Sequence, residues 1–290
     1  MNATSGTPAK CAANFSWRGR AFGAAPRCKV VRARRTERRY LLSAIIQKPS
    51  TMLNRAAFIV FGYAASMSMG AAWAKQPDGA YLDGASSKVG VILVHGRFAR
   101  GNARSPVVNP LRTAIHERLG FHTLSLNYPA PRSSRNAPDG IVNFTAAYQR
   151  LSSAITFLGK EKGVTQIYVV GHSLGTQITI SYMAKNAGSG LRGYIGVAIY
   201  GSGECPKGAA NPLNSFCNLK TILRNSPTLP IIDVVAMDDE TDVSFANERK
   251  ELVSTTYRQV HIEGADHSFR RKEDDLVNIV VDWLKLQQAR

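Results

Sequence analysis

Residues Gly171-His172-Ser173-Leu174-Gly175 set a serine between two glycines, and the flanking sequence matters as much as the pattern. Upstream, Gln166-Ile167-Tyr168-Val169-Val170 reads as a buried strand, and downstream Thr176 to Ala184 suits a helix. A serine at a sharp strand-to-helix turn is a nucleophile elbow: the turn lifts the hydroxyl clear of the sheet and aims the helix N-terminus at it. Glycines flank it because the turn is strained and the strand and helix backbones pass close to the serine. A chance Gly-x-Ser-x-Gly turn would lack this order of elements.

A serine hydroxyl is a poor nucleophile until a histidine takes its proton, and that histidine needs a carboxylate to fix its tautomer. The chain holds six histidines. His172 lies inside the elbow and is expected to pack. His116, in a predicted helix, and His122, at a turn, are expected to be solvated, and His261 lies within a strand as a surface or packing residue. His95, just before Gly96 at a strand end, is expected to support that loop. His267, in Gly264-Ala265-Asp266-His267-Ser268-Phe269 between the last strand and last helix, is the one at a late strand end with room to reach Ser173. The carboxylate should follow the strand Pro230–Ala236. Asp238, Asp239, Glu240 and Asp242 crowd there, and at least two of them must be solvated surface charges. Asp233, inside the strand, is a poor candidate.

These residues need elements to hold them. Apolar runs at Val89–Val94, Thr123–Asn127, Gln166–Val170, Tyr194–Tyr200, Pro230–Ala236 and Tyr257–Ile262 read as strands. Between them, Leu111, Ile115 and Leu119, then Ala147, Leu151, Ala154, Ile155 and Leu158, follow helical spacing. Asn109 reads as the N-cap of the first of these helices, with Pro110 at its first position. Shorter helices are predicted near Leu219–Arg224 and from about Ser244 to Val253. A last one carries Leu276, Ile279, Val280, Trp283 and Leu284 on one face. Strands alternating with amphipathic helices predict an α/β fold: one doubly wound domain, its mostly parallel sheet covered by helices on both faces. Ligands then collect at the carboxyl ends of the strands, where the serine, histidine and acids all lie.

The formal net charge is +17, but it is unevenly spread. Residues 1–51 carry eleven Lys or Arg against Glu37 alone, and the 216 residues after Ala74 hold 25 basic and 19 acidic groups. Most of the positive charge thus belongs to the leader, and the folded part does not read as a nucleic-acid protein. Within 52–74, Met52-Leu53-Asn54-Arg55, an apolar run from Ala56, and Ala72-Trp73-Ala74 have the three parts of a secretory signal peptide. Met52 then reads as the true start, residues 1–51 as a basic leader that is disordered or a mis-annotated start, and 75–290 as the catalytic domain, secreted or periplasmic. One alternative is a membrane anchor, since 19 uncharged residues from Ala56 to Ala74 just suffice to span a bilayer. A twin-arginine signal at Arg38-Arg39 is weaker, because the apolar run after it breaks at Gln47-Lys48-Pro49. Beyond the leader, Cys205 and Cys217 form an even pair, expected to be a disulfide in an exported protein; two free thiols are the alternative.

Across roughly residues 88–288 the chain resembles the α/β-hydrolase superfamily. The resemblance rests on Val94-His95-Gly96 after the first strand, the elbow 171–175, an acid after the Pro230–Ala236 strand, and Gly264-Ala265-Asp266-His267. The order serine, acid, histidine is also the superfamily's. The resemblance implies that the acid falls three residues after the small residue ending its strand, which selects Asp239, with Asp242 second and Asp238 third. It also implies an oxyanion hole from the backbone N–H groups of Leu174 and Arg97, each contributing about 3 kcal/mol to the transition state. Two features depart from the family pattern. Leading antiparallel strands are missing or reduced to 77–88, and the insertion 201–229 is too short for a large lid, so an open site is expected.

The resulting expectation is a serine hydrolase acting on a small-molecule or lipid-like carboxylic ester, without metal or organic cofactor. Ser173 attacks, His267 shuttles the proton and Asp239 orients His267. A thioesterase, amidase or acyl transferase would use the same groups. A non-catalytic binding module on the same scaffold is the alternative from another class.

Overall fold

A computed structural model describes residues 75–97, 103–128, 143–186, 190–201 and 211–289. The leader 1–51, the segment 52–74 with its export and anchor readings, and Cys205 lie outside the described residues. The described strands are β1 (Gly79–Leu82), β2 (Val89–Val94), β3 (His122–Leu126), β4 (Gln166–His172), β5 (Leu191–Val197), β6 (Ile231–Ala236) and β7 (Tyr257–Ile262). They form one sheet in the order β1-β3-β2-β4-β5-β6-β7. β1 runs antiparallel to β3, and every other pairing is parallel. The helices are α1 (Val108–Leu119), α2 (Phe144–Thr156), α3 (Leu174–Lys185), α4 (Ser215–Asn225), α5 (Glu240–Arg249) and α6 (Glu273–Gln288).

Parallel strands joined by helical crossovers are covered on both faces, so they need apolar residues on both. β2 reads Val-Gly-Val-Ile-Leu-Val and is buried throughout. Successive side chains point to opposite faces. Val91 and Leu93 join a core with Leu111 and Ile115 of α1 and Val280 and Leu284 of α6. Ile92 and Val94 join a second core with Leu151 of α2 and Ile178 of α3. The sheet therefore has α1 and α6 on one face and α2 and α3 on the other. From β2 the chain first adds β3 on one side and then crosses to place β4 on the other. The strand order reverses there, and the carboxyl ends of β2 and β4 bracket a crevice.

Several local expectations change. α1 starts at Val108, ahead of Pro110, because the backbone is already turning: Asn109 N–H donates to Ser105 O at 3.0 Å. Asn109 caps nothing, and its side chain accepts from Arg112 Nη2 instead. Pro110 is tolerated because first-turn N–H groups have no helical partner anyway. α5 starts at Glu240, earlier than the apolar spacing suggested, because Asp239 caps it. His122, expected to be solvated, is buried in β3, where Nδ1 accepts from Gly84 N–H at 3.1 Å and lies 2.7 Å from Tyr81 Oη. His116 is half-buried, 3.1 Å from Phe121 O. Cys217 lies in the first turn of α4, while Cys205, its expected partner, falls among the residues not described. Among the described residues no helix is long and apolar enough to cross a membrane.

Candidate active site

β4 ends at His172 and α3 begins at Leu174, leaving Ser173 as the corner. Its backbone has φ 52° and ψ −119°, a left-handed conformation that costs a non-glycine residue about 1–3 kcal/mol. The corner holds because its surroundings over-determine it. Ser173 N–H donates to Val197 O of β5 at 3.1 Å, and Ser173 O accepts from Thr176 N–H at 2.8 Å and Thr176 Oγ1 at 2.5 Å. Gly175 is required by close approach: a Cβ there would sit 2.1 Å from Val94 O of β2.

His267 lies in the loop after β7, anchored by the buried Phe269 and by Asp266, which accepts from the N–H groups of Ser268 and Arg270. This loop is tied to the one after β6 by Asp238 N–H donating to Ala265 O at 2.9 Å. The two strand ends thus bring Asp239 and His267 together. Asp239 Oδ2 lies 2.5 Å from His267 Nδ1, and His267 Nε2 lies 2.8 Å from Ser173 Oγ. The anionic carboxylate only accepts, so Nδ1 carries the hydrogen and Nε2 offers its lone pair to the serine hydroxyl. Asp239 also caps α5, since its Oδ1 accepts from Thr241 N–H at 3.1 Å and Asp242 N–H at 3.4 Å. One oxygen caps the helix and the other holds the imidazole, and the helix N-terminus is the favourable end for a negative charge.

Gly96 and Arg97 follow β2 and approach the same corner. A Cβ on Gly96 would lie 3.0 Å from His172 Nδ1 and 3.2 Å from Ser173 Cβ. His95 is buried, Nδ1 donates to Gly96 O at 2.8 Å, and the ring stacks on Tyr128 at 4.0 Å. Tyr128 Oη in turn donates to His95 O. Burial keeps the His95 imidazole below its usual range, so it stays neutral. The carbonyl and N–H of a trans peptide point in opposite directions, so the bond to Gly96 O also fixes the direction of Arg97 N–H. Leu174 is the first residue of α3, where helical N–H groups have no internal partner.

A cavity of about 260 Å³ opens beside these groups, lined by Gly96, Arg97, Ser105, Pro106, Val107, His172, Ser173, His267 and Ser268. Ser105 to Val107 carry no motif. Only the turn into α1 places them there, so sequence reading had no signal for them.

Of the competing acids, Asp238 and Glu240 are exposed. Asp242, ranked second as the acid, neither faces His267 nor is a solvated surface charge. It is 2 % exposed, and Oδ2 accepts Ala236 N–H at 2.8 Å, while Oδ1 lies 3.8 Å from Arg249 Nη2. Burial pushes its carboxyl up to about 7, with Asp233 adding to the rise and the Ala236 N–H opposing it. Asp233, poor as an acid at the site, is the buried partner of Arg249. His261 is exposed on β7. Among the described residues no group of three His, Cys, Asp or Glu side chains is placed to hold a metal ion.

The family model described as the alpha/beta hydrolase fold matches residues 90–217. Among solved structures, a dienelactone hydrolase from Anabaena variabilis is similar at 15 % identity and TM-score 0.51, covering 68 % of this chain and 86 % of that one. An alpha-beta serine hydrolase homologue from Coxiella burnetii is similar at 19 % identity and TM-score 0.50, with the same coverage. No curated protein sequence matches the chain.

Proposed function

For a chain placed among the α/β-hydrolases by its fold and by the match over residues 90–217, we propose a serine hydrolase that cleaves carboxylic esters of short acyl groups. The observation that carries this reading is the relay Asp239–His267–Ser173, with contacts of 2.5 and 2.8 Å, opening on a cavity of about 260 Å³. A cavity below the usual range for drug-sized ligands suits a small acyl group.

In the proposed reaction Ser173 Oγ attacks the ester carbonyl carbon as its proton passes to His267 Nε2. Asp239 keeps Nδ1 protonated and stabilises the imidazolium. The carbonyl oxygen becomes an oxyanion between the N–H groups of Leu174 and Arg97. Collapse of this intermediate breaks the bond to the alcohol, which leaves with the proton from Nε2, and an acyl-serine remains. Water repeats the sequence, giving the acid and free Ser173. The proposal also includes export, with removal of residues up to Ala74 and oxidation of Cys205 with Cys217, motivated by the Ala72-Trp73-Ala74 site and the even cysteine pair.

The test combines fluorophosphonate labelling, mapped by peptide mass, with a panel of nitrophenyl esters of increasing chain length. Labelling at Ser173 and faster turnover of the shorter esters are expected. Labelling at another serine, or thioester or amide turnover well above ester turnover, would replace the reading. N-terminal sequencing and intact mass of natively exported protein check the processing. A mature N-terminus before Met52, or two alkylatable thiols without reduction, would count against it.

A further inference from the structure

We infer that His172, inside the elbow itself, is a positioning residue: its imidazole holds the backbone carbonyl of His267 and so sets where the base meets Ser173. The inference rests on the hydrolase reading above. His172 is the last residue of β4 and is 7 % exposed. Its Nε2 lies 3.0 Å from His267 O, and the two rings lie 5.4 Å apart at 44°. A carbonyl only accepts, so Nε2 carries the hydrogen and Nδ1 is the bare nitrogen packed against Gly96.

Consecutive residues of one strand end therefore grip two points of one histidine. Ser173 Oγ meets the ring at Nε2, and His172 Nε2–H meets the backbone. Among the described residues, these are the hydrogen bonds that join the end of β4 to the loop after β7. Without the second, the loop is still anchored by Phe269 and by the Asp238 bond to Ala265, but among the described residues its backbone has no hydrogen bond to the end of β4. His267 is half-exposed at its ring, with 40 % of the side chain accessible, so packing alone does not hold it. Charge supports the same role. Burial, with His267 and His95 nearby, brings His172 down to about 4, so it stays neutral and Nε2 keeps its single hydrogen. A second cation beside the imidazolium that forms during reaction is thereby avoided.

A residue that merely fills space could be replaced by an aromatic ring, which makes the role testable. His172→Phe keeps a ring without a donor, His172→Asn has an amide too short to reach, and His172→Gln carries an amide nitrogen about as far out as Nε2. Wild type, first shown to label at Ser173, is compared with all three in kcat, KM, labelling rate and the downfield proton resonance of His267 Nδ1–H. The Phe and Asn variants should lose on the order of a hundredfold in kcat with KM nearly unchanged, as expected of a small misplacement of a reacting group. Their downfield resonance should broaden or vanish, and Gln should recover most of both. Wild-type kcat and resonance in His172→Phe overturn the inference while the hydrolase reading stands. If His172→Phe does not fold, equal kcat in Asn and Gln overturns it. Absence of wild-type labelling at Ser173 overturns the reading beneath it.

Discussion

Asp239 and Asp242 stand three residues apart at the start of α5, yet one meets a half-exposed imidazole and the other a sealed guanidinium. Asp239 shares its oxygens between the helix N-terminus and His267. Asp242 lies beneath, near an Arg249 already committed to Asp233: Nε to Oδ2 at 2.9 Å, Nη2 to Oδ1 at 3.2 Å, and Nη1 to Ile199 O at 2.9 Å. Tyr257 Oη and Gln259 Nε2 also donate to Asp233. Both regions hold a carboxylate beside a cationic or ionisable partner. At the site the pair is open on one side and its free end is aimed at a hydroxyl, so a proton has somewhere to go. Beneath it each of the three guanidinium nitrogens has a fixed acceptor, so the charges brace α5 and β6. Under the proposed reaction, the same residue type thus serves chemistry or architecture according to what its second oxygen faces.

The largest expected effect breaks the open region. Ser173→Ala and His267→Ala should each lower ester turnover by about 10⁵–10⁶-fold, since members of such a relay act as a unit. Initial rates on a short nitrophenyl ester check this, and turnover near wild type in either variant would dissolve the site. Next, Asp239→Asn should cost on the order of 10⁴-fold, because the amide presents the wrong partner to Nδ1, whereas Asp242→Asn should stay within about tenfold. A collapse in Asp242→Asn with survival of Asp239→Asn would exchange the roles of the two acids.

The sealed region should respond in stability. Arg249→Met leaves Asp233 buried without its cation and should cost about 3–5 kcal/mol in urea unfolding, typical of breaking a buried pair. Loss of turnover without loss of stability would show that the cluster is not a brace.

The smallest effects are in pH dependence. The folded-state pKa of Asp242 is raised, so its contribution to stability is full below the unfolded carboxylate range and is lost as pH rises toward about 7. Asp242→Asn should therefore remove part of the decline expected of wild type between about pH 4 and 7 in urea midpoints. His122 acts in the opposite sense. Burial, above all, lowers its folded pKa, so its contribution is present above the unfolded value and lost as pH falls. His122→Asn, whose side-chain oxygen can replace Nδ1 as acceptor, should flatten the acid side. An unchanged slope in both variants would show that neither group titrates with folding.

Much of the fold was legible because its signals are local. The Val89–Val94 run, the spacing of Leu111 and Ile115, and the Gly-His-Ser-Leu-Gly corner each report a conformation within a few residues. Boundaries shifted where a side chain reached along the chain, as when Asp239 capped α5 ahead of its apolar stripe. His122 was misplaced as solvated because it opens a strand covered by β1 and the turn after it, a contact between residues about forty positions apart.

The sequence by itself determined the alternating elements, the strained serine corner and the histidine at the last strand end, because periodicity, turn chemistry and chain order suffice for these. The tertiary structure decided which oxygen of which aspartate faces His267, why Asp242 is sealed, which loop walls the cavity, and that His172 grips the base. Those depend on contacts between residues 28 and 94 positions apart at the site and 95 at the His172 clamp. Such pairings are set by sheet order and by the loops that close it, which no local pattern encodes.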